Sequence, residues 1–218
     1  MGTQSRILTI AGLPKPFPDM PVKKSFSSTA SQESLAQVRE WLEICQTSHG
    51  CLGRVPTTLP KRVIDVSLPT VKLYETTMET GQYACLSHCW GATRPACRTT
   101  MANLDENRRA ILWEALPATF RDAIDFTRRL GIRYIWIDSI CIIQDSAQDW
   151  SEQSAQMAPI YGNAFVTLCA TASTSDDGGC YLDTPAHLRA RKVTAKTRDG
   201  TEYDVYVRNL LNHRHLPD

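Results

Sequence analysis

The chain has 218 residues, enough for one ordinary domain with a hydrophobic core and a short extension, but too few for two full-sized domains. Its 24 Lys and Arg residues nearly balance its 23 Asp and Glu residues, which gives a formal charge of +1. That balance excludes a general electrostatic attraction to nucleic acid or anionic lipid, so neither is expected as a partner.

The cysteines and the apolar segments favour a protein of the reducing cytoplasm. Several of the eight cysteines stand inside apolar runs, as Cys85 and Cys169 do, where a reduced thiol behaves as a small buried hydrophobe. The N-terminal residues do not resemble a secretory signal. The longest apolar run, from Tyr134 to Ile143, is interrupted by Asp138 and falls short of the ~20 residues that span a bilayer. We therefore expect reduced thiols, a cytoplasmic location and no membrane segment.

The first predicted elements are an arm and a helix. Residues 1–30 are rich in Pro, Ser, Thr and Lys, so they bury too little surface to offset the entropy of ordering, and we predict a mobile arm. Apolar residues then recur at helical spacing and predict an amphipathic helix from about Gln32 to Gln46, packed by its apolar face on the main domain. The predicted face consists of Leu35, Val38, Trp41, Leu42 and Cys45.

Three β-strands are predicted next. The runs Arg62–Val66 and Val71–Glu75 lie on either side of the turn-like Ser67–Pro69, which is typical of a hairpin or an edge pair. Tyr83–Ser87 predicts a buried strand, and this strand leads into the polar and aromatic cluster Ser87–Gly91.

The next predicted elements are a helix and a strand. Residues Pro117–Leu130 predict a helix, with Thr119 and Asp122 as a capping pair at its start and Gly131 at its end. Phe120, Ile124 and Thr127 follow one face of this helix. The apolar run Ile132–Ile137 predicts the strand that follows it.

A second helix and a last strand complete the predicted core. The helix runs from about Ala147 to Tyr161, with Pro159 loosening its last turn, and Ala164–Ala170 predicts the strand after it. The predicted apolar stripe of this helix contains Trp150, Ser154, Met157 and Tyr161.

Strands and helices that alternate at these lengths predict right-handed crossovers and a parallel sheet with helices on both faces. Near-continuous apolar strands agree with that arrangement. Ligands of such sheets bind beyond the carboxyl ends of the strands. We expect one edge to bring together Ser87–Gly91, Asp138–Cys141 and Thr171–Ser175.

Two carboxylates are candidate catalytic groups. Asp138 would stand at the mouth of the crevice, where it could hold a ribose hydroxyl or orient a reacting group, but it could equally cap backbone amides at the strand end. Glu152 could act as a general base or stabilise a ribosyl cation. Its position in the first turn of a helix favours a helix-dipole role instead. Asp145 is more typical of a turn or a helix cap.

The cluster after the first core strand suggests a binding site. Trp90 could stack on a base or nicotinamide, or simply cap the core. His88 and Cys141 could form a thiolate–imidazolium pair, although a buried thiol is the better interpretation of Cys141. Together with Ser87 and Asp138, these residues form the candidate cofactor site.

Metal binding is not expected. Cys45, His49 and Cys51 stand close together in sequence, and Cys85 and Cys89 are four residues apart, but neither group provides the two paired units of a zinc motif. No cofactor is predicted with certainty, and NAD is considered only as a substrate.

Three long segments carry a family resemblance. The segment YACLSHCWG, then LPATFRDAIDFTRRLGIRYIWIDSICIIQDSAQDW and then QMAPIYGNAFVTLCATA closely resemble the three blocks of the fungal heterokaryon-incompatibility (HET) family. The resemblance extends from about Trp41 to Tyr181. It implies an effector of nonself recognition that triggers programmed cell death after hyphal fusion, acting through self-association or an incompatibility partner protein.

HET domains have been likened to Toll/interleukin-1 receptor (TIR) domains, so the resemblance also implies a TIR- or flavodoxin-like parallel core. In that comparison CLSHCWG is similar to the first TIR strand with its loop, IWIDSICI to the second, and residues 164–172 to the third. NAD-cleaving TIR domains carry a glutamate on the helix after that third strand. The resemblance therefore implies NAD glycohydrolase activity as an alternative function.

The chain departs from longer relatives at its C-terminal end. Those relatives carry a later Arg-Gly-Trp block with a Gln-Glu pair, which is the best counterpart of the TIR glutamate, and this chain ends at Asp218 without it. We therefore expect an arm at 1–30, a helix with short strands at 31–80, a HET core at 81–185 and a truncated extension at 186–218.

Overall fold

The computed structural model describes residues 6–10, 26–49, 56–92, 95, 97–196, 200 and 202–209. The chain divides into two compact units, and each is described by itself. One unit combines Met1–Ser34 with Leu182–Asp218, and the other, the main unit, is Leu35–Tyr181.

The described residues form helices α1–α5 and strands β1–β10, numbered in chain order. The helices are α1 (Gln32–Ser48), α2 (Leu104–Arg109), α3 (Ala118–Arg129), α4 (Asp138–Cys141) and α5 (Ala147–Gly162). The strands are β1 (Arg6–Ile10), β2 (Thr57–Thr58), β3 (Arg62–Asp65), β4 (Lys72–Glu75), β5 (Thr80–Gly81), β6 (Tyr83–Ser87), β7 (Tyr134–Trp136), β8 (Val166–Cys169), β9 (Arg191–Lys196) and β10 (Glu202–Asn209).

The main unit is built on a five-stranded sheet with the order β4-β3-β7-β6-β8. Strand β6 pairs in parallel with β7 on one side and with β8 on the other. The prediction that the three apolar stretches run side by side in one direction is therefore confirmed. Strand β3 pairs antiparallel with both β4 and β7, so the sheet as a whole is mixed and not all-parallel.

The antiparallel part is the predicted hairpin. Residues 67–70 form bends between β3 and β4, and the Asp65 carboxylate accepts hydrogen bonds from both the amide (3.0 Å) and the hydroxyl (2.7 Å) of Ser67. A loop this short can only return the chain antiparallel, whereas the parallel strands are joined by long connections that contain helices. The hairpin therefore extends the parallel core from one side.

Helices cover both faces of the sheet. Cys85 and Trp136 are register partners on one face, where the Trp136 ring meets Tyr161 of α5 edge-on with centroids 5.5 Å apart. Because β6 lies between β7 and β8, right-handed crossovers place α3 and α5 on opposite faces, and α3 buries Phe120 and Ile124 completely, as its predicted spacing indicated. The alternation of side chains along a strand therefore supplies apolar surface to both helical layers.

One tryptophan of each predicted apolar stripe is exposed, although the other members of both stripes are buried or half-buried as predicted. In α5 the buried residues are Asp149, Gln153 and Ile160, and Trp150 is 56% exposed instead of packed. In α1, Leu35 is buried and Val38, Leu42 and Cys45 are half-buried, as predicted, whereas Trp41 is exposed. Both stripes were predicted from apolarity alone, and a buried carboxylate such as Asp149 cannot be recognised that way.

The start of α3 corrects a second prediction. Pro117 caps the helix without a side-chain hydrogen bond, so Thr119 and Asp122 do not form a capping pair. Instead Thr119 Oγ1 accepts from the amide of Gly179 at 3.0 Å, and Asp122 Oδ2 accepts from that of Cys180 at 2.8 Å. These two side chains fasten a distant loop to the helix.

Two further boundaries concern β7. Gly131 adopts φ +79° after α3, as expected of the residue that ends a helix. The strand predicted at Ile132–Ile137 is present as the shorter β7, which ends at Trp136, and the apolar run that continues to Ile143 forms the helical turn α4 from Asp138. Short apolar runs do not distinguish a strand from a buried helical turn.

The other unit contains a three-stranded antiparallel sheet with the order β1-β10-β9. Strand β1 lies within the segment predicted as an arm, and β9 and β10 lie within the predicted extension. Backbone hydrogen bonds also join Thr29 to Leu182 and Ser27 to Thr184 in this unit. Most of residues 1–30 and the last nine residues lie outside the described part of the chain.

A buried ion pair fixes the hairpin to helix α5. The Arg62 side chain of β3 is 1% exposed, and its guanidinium pairs with Asp149 of α5 and donates from Nε to the carbonyl of Cys141 at 2.7 Å. The amide of Ile143 donates to the same Asp149 carboxylate at 2.9 Å. Burial by itself would raise the pKa of Asp149, but the bonds from Arg62, Ile143 and Lys61 lower it.

We expect Arg62→Ala to lower the free energy of unfolding by about 3–5 kcal/mol, because it leaves a buried carboxylate without its main partner. Lys61→Ala is the matched control, since Lys61 contacts the same carboxylate at 3.1 Å but is 46% exposed. It should cost at most about 1 kcal/mol. Urea unfolding of both variants measures the difference, and equal losses would contradict this explanation.

Candidate functional site

Loops that follow β6, β7 and β8 meet at the carboxyl edge of the sheet, and we call this edge the rim. Trp90, beyond β6, donates its indole Nε1–H to Asp138 Oδ2 at 3.0 Å, beyond β7. Gly91 has φ +83°, and a Cβ at this position would lie 3.1 Å from the Cβ of Ser175, beyond β8. The three segments predicted to share one edge are therefore in contact.

Asp138 lies at the centre of the rim, and its two carboxylate oxygens have different partners. Oδ1 accepts from the amide of Ser139 at 2.7 Å, and Oδ2 accepts from Trp90. The side chain remains 19% exposed. Asp138 thus caps a backbone amide, as one of the two alternatives predicted, and its side chain also reaches the surface.

His88 lies behind Asp138. Its Nδ1 is 4.0 Å from Asp138 Oδ1, its side chain is 1% exposed, and its ring meets Phe120 edge-on with centroids 4.9 Å apart. His88 Nε2 and Ser139 Oγ are buried without a hydrogen-bond partner among the described residues. The rim therefore rests on a buried layer with unused polar atoms.

Burial dominates the electrostatics of this pair. It lowers the pKa of His88, against the attraction of Asp138 and Asp176, which favours the imidazolium. Burial also raises the pKa of Asp138, against the opposing effects of His88, the Ser139 amide and Trp90. Both shifts favour the neutral forms, since desolvation penalises whichever form is charged.

The remaining rim candidates differ in exposure. Ser87 is exposed and ends β6, and its carbonyl accepts from the amide of Ala170 at 2.9 Å. Trp90 is half-buried, so one part of its indole is held by Asp138 and another part is open to a ligand. Trp150 belongs to none of the rim segments: it is exposed on α5, and its backbone amide donates to the carbonyl of Ser146.

Cys141 does not suit a nucleophilic role. Its side chain is buried in the core, and burial raises the pKa of its thiol to about 12. A nucleophilic cysteine requires a lowered pKa and access to the substrate. The second of the two interpretations weighed from the sequence, a buried structural thiol, fits this environment.

Glu152 is paired with Lys61 and not with the rim residues. It accepts from Gln148 at 3.0 Å and from Lys61 at 3.2 Å, and these bonds lower its pKa. Asp145, the predicted turn residue, accepts from the amide of Met101 at 2.8 Å. The structure therefore brings together Ser87, His88, Trp90 and Asp138, and it pairs Glu152 with Lys61.

Sequence reasoning missed three residues near the site. Asp176 acts electrostatically on His88, and its carbonyl accepts from the amide of Thr119 at 3.0 Å. Arg62 and Asp149 fix α4, which begins with Asp138. Asp176 directly follows the predicted Thr171–Ser175 segment, but its effect on His88, like the pairing of Arg62 with Asp149, depends on contacts between distant parts of the sequence.

Neither a metal centre nor a membrane span is found in the described part of the chain. No three His, Cys, Asp or Glu side chains there are placed to hold a metal ion. Among the same residues no helix is long and apolar enough to cross a bilayer. Cys51, part of the weighed zinc cluster, lies outside the described residues.

Comparison with known proteins gives two matches. The family model for "Heterokaryon incompatibility protein (HET)" matches residues 83–216, which include the whole rim. "Heterokaryon incompatibility protein 6, OR allele" of Neurospora crassa is 28% identical over 131 residues. That alignment covers 57% of this chain and 19% of the relative, so the chain spans about a fifth of that protein. No solved structure matches the chain.

We expect His88 to titrate below the ordinary histidine pKa of 6.5, because its imidazole is buried. Asp138→Asn should lower that pKa further, since it removes a charge that favours the imidazolium. Histidine NMR titration, with the resonance assigned by loss in His88→Asn, measures both. Asp145→Asn is the matched control and should leave the His88 curve in place. A midpoint at or above 6.5, or a rise in Asp138→Asn, would contradict this description of the site.

Proposed function

This chain belongs to the heterokaryon incompatibility (HET) family, and we propose that it is an effector module that triggers programmed cell death in fungal nonself recognition. Family membership and the incompatibility relative support this proposal. Because the chain spans about a fifth of that relative, the activity of a full-length protein is part of the proposal. So are a cytoplasmic location and a trigger that works through self-association or an incompatibility partner protein.

The observation that carries the proposal is the bond between Trp90 and Asp138. It joins loops from two parallel strands within the matched family region, and Gly91 brings the Ser175 loop against them. A surface built from three separate segments can be arranged by the fold and altered by a ligand or a partner. In this proposal the rim is the surface at which a ligand or partner would activate the effector.

We also propose a TIR-like architecture for the core. Three adjacent parallel strands with helices on both faces support this proposal, since β6, β7 and β8 are the strands likened to TIR strands from the sequence. The antiparallel hairpin β3–β4 would then be an addition on one side of the TIR-like part.

The second candidate function is cleavage of the N-glycosidic bond of NAD. One observation favours it: Asp138 is partly exposed at the rim, beside the half-buried indole of Trp90. A poorly hydrated carboxylate interacts strongly with a developing ribosyl cation, and an indole can stack on nicotinamide. Water would take the place of nicotinamide at the ribose carbon, releasing nicotinamide and a proton.

Expression of the wild-type chain in a filamentous fungus should arrest growth. Trp90→Ala should remove most of the effect, since it breaks the bond between two rim loops, whereas Glu114→Gln, at an exposed position outside the three rim segments, should not. Viability counts at matched protein levels measure the outcome. Healthy growth at high expression of the wild type would rule out the effector proposal.

Purified, concentrated protein tests the enzyme alternative. We expect nicotinamide release from NAD, and a loss of about 100-fold or more in Asp138→Ala, as when one charge-stabilising group is removed from an active site. Glu152→Ala should keep most of the turnover, because Lys61 already neutralises Glu152. Loss in Glu152→Ala would instead give that carboxylate the catalytic role considered from the sequence. Absence of turnover in the wild type would exclude the alternative.

A further inference from the structure

The two edges of the five-stranded sheet are protected to different degrees. At one edge, β4 carries the charged residues Lys72 and Glu75, and α2 lies against it through the ion pair between Arg108 and Glu75. The amide of Ile111 also donates to the carbonyl of Val71 at 2.7 Å, just before β4. At the other edge is β8, and no described strand pairs with its outer side.

The backbone of β8 has groups that point away from the sheet. The amide of Phe165 donates to the carbonyl of Tyr83 at 2.9 Å, toward β6. Peptide groups alternate in direction along a strand, so those of Thr167 also point toward β6. Those of Val166 and Leu168 point outward, and their donors and acceptors have no backbone partner among the residues that the structure describes.

The sequence around β8 contains none of the usual edge protection. Residues 163–175 include no charged residue and no proline, and the strand itself is β-prone. Natural sheets block edge-to-edge pairing with charges, proline, bulges or a covering element. An uncharged segment of this kind, free of proline and rich in β-formers, is typical of strands that pair with one another.

We propose that β8 is the self-association surface of this protein and pairs with β8 of a second copy. This inference deepens the proposed function and rests on its self-association step. Two copies related by a two-fold axis would place the strands antiparallel, with the outward groups of Val166 and Leu168 facing their counterparts. Because the segment is uncharged, the two copies would not repel each other across the new pair.

Sedimentation velocity over a range of protein concentrations tests the pairing. The wild type should associate as concentration rises, and Thr167→Lys should move that transition to at least about tenfold higher concentration, since an exposed lysine on an edge blocks pairing. Leu112→Lys is the matched control: it adds the same charge at an exposed apolar position outside β8 and should leave the transition unchanged.

Hydrogen exchange supplies a second measurement that needs no variant. The amides of Val166 and Leu168 should exchange more slowly at high protein concentration than at low concentration. Circular dichroism checks that Thr167→Lys is folded. Should it unfold, Thr167→Val takes its place and should associate at least as strongly as the wild type.

Three outcomes would overturn the inference: a wild type that stays monomeric, equal weakening by Leu112→Lys and Thr167→Lys, or unchanged exchange at Val166 and Leu168. The fungal growth assay remains separate. Association through β8 without growth arrest would support the surface and refute the effector proposal. Growth arrest without association would support the effector proposal and refute the β8 surface.

Discussion

The common direction of β6, β7 and β8 is the constraint on which the rest of the structure depends. Because the three strands are parallel and adjacent, the segments that follow them emerge at one edge, where Trp90 can reach Asp138 and Gly91 can approach Ser175. An antiparallel arrangement would have sent one of these segments to the opposite side of the sheet. The direction of the strands therefore brings the rim segments together, and the individual side chains then make the contacts between them.

The hairpin contributes to the rim from a distance. Arg62 of β3 binds both Asp149 of α5 and the carbonyl of Cys141, the last residue of α4. Since α4 begins with Asp138, the position of the rim carboxylate depends on a buried ion pair in an antiparallel part of the sheet. This contact gives the ion pair between Arg62 and Asp149 a structural role. Arg62 can be buried because its guanidinium pairs with Asp149 and donates to a backbone carbonyl.

Elements with a clear periodicity could be predicted from the sequence, and those set by distant contacts could not. The apolar runs predicted β6 and β8, and the turn at Ser67–Pro69 predicted the hairpin. Thr119 and Asp122 looked like a capping pair, yet they bind the amides of Gly179 and Cys180, about 60 positions away. The predicted parallel sheet led to the prediction that the three rim segments share an edge. No sequence pattern indicated that Asp176 acts on His88.

Strand β8 connects the two sites considered for this protein. Its outer edge is the surface proposed for self-association, and its carboxyl end leads directly into the Ser175 loop that contacts Gly91. A second copy paired along β8 would restrict the strand and therefore the loop that follows it. That loop and the bond between Trp90 and Asp138 belong to the same rim. Pairing along β8 would therefore affect the position of the rim loops directly. No separate relay through the core is needed, since consecutive residues of one strand and its loop make the connection.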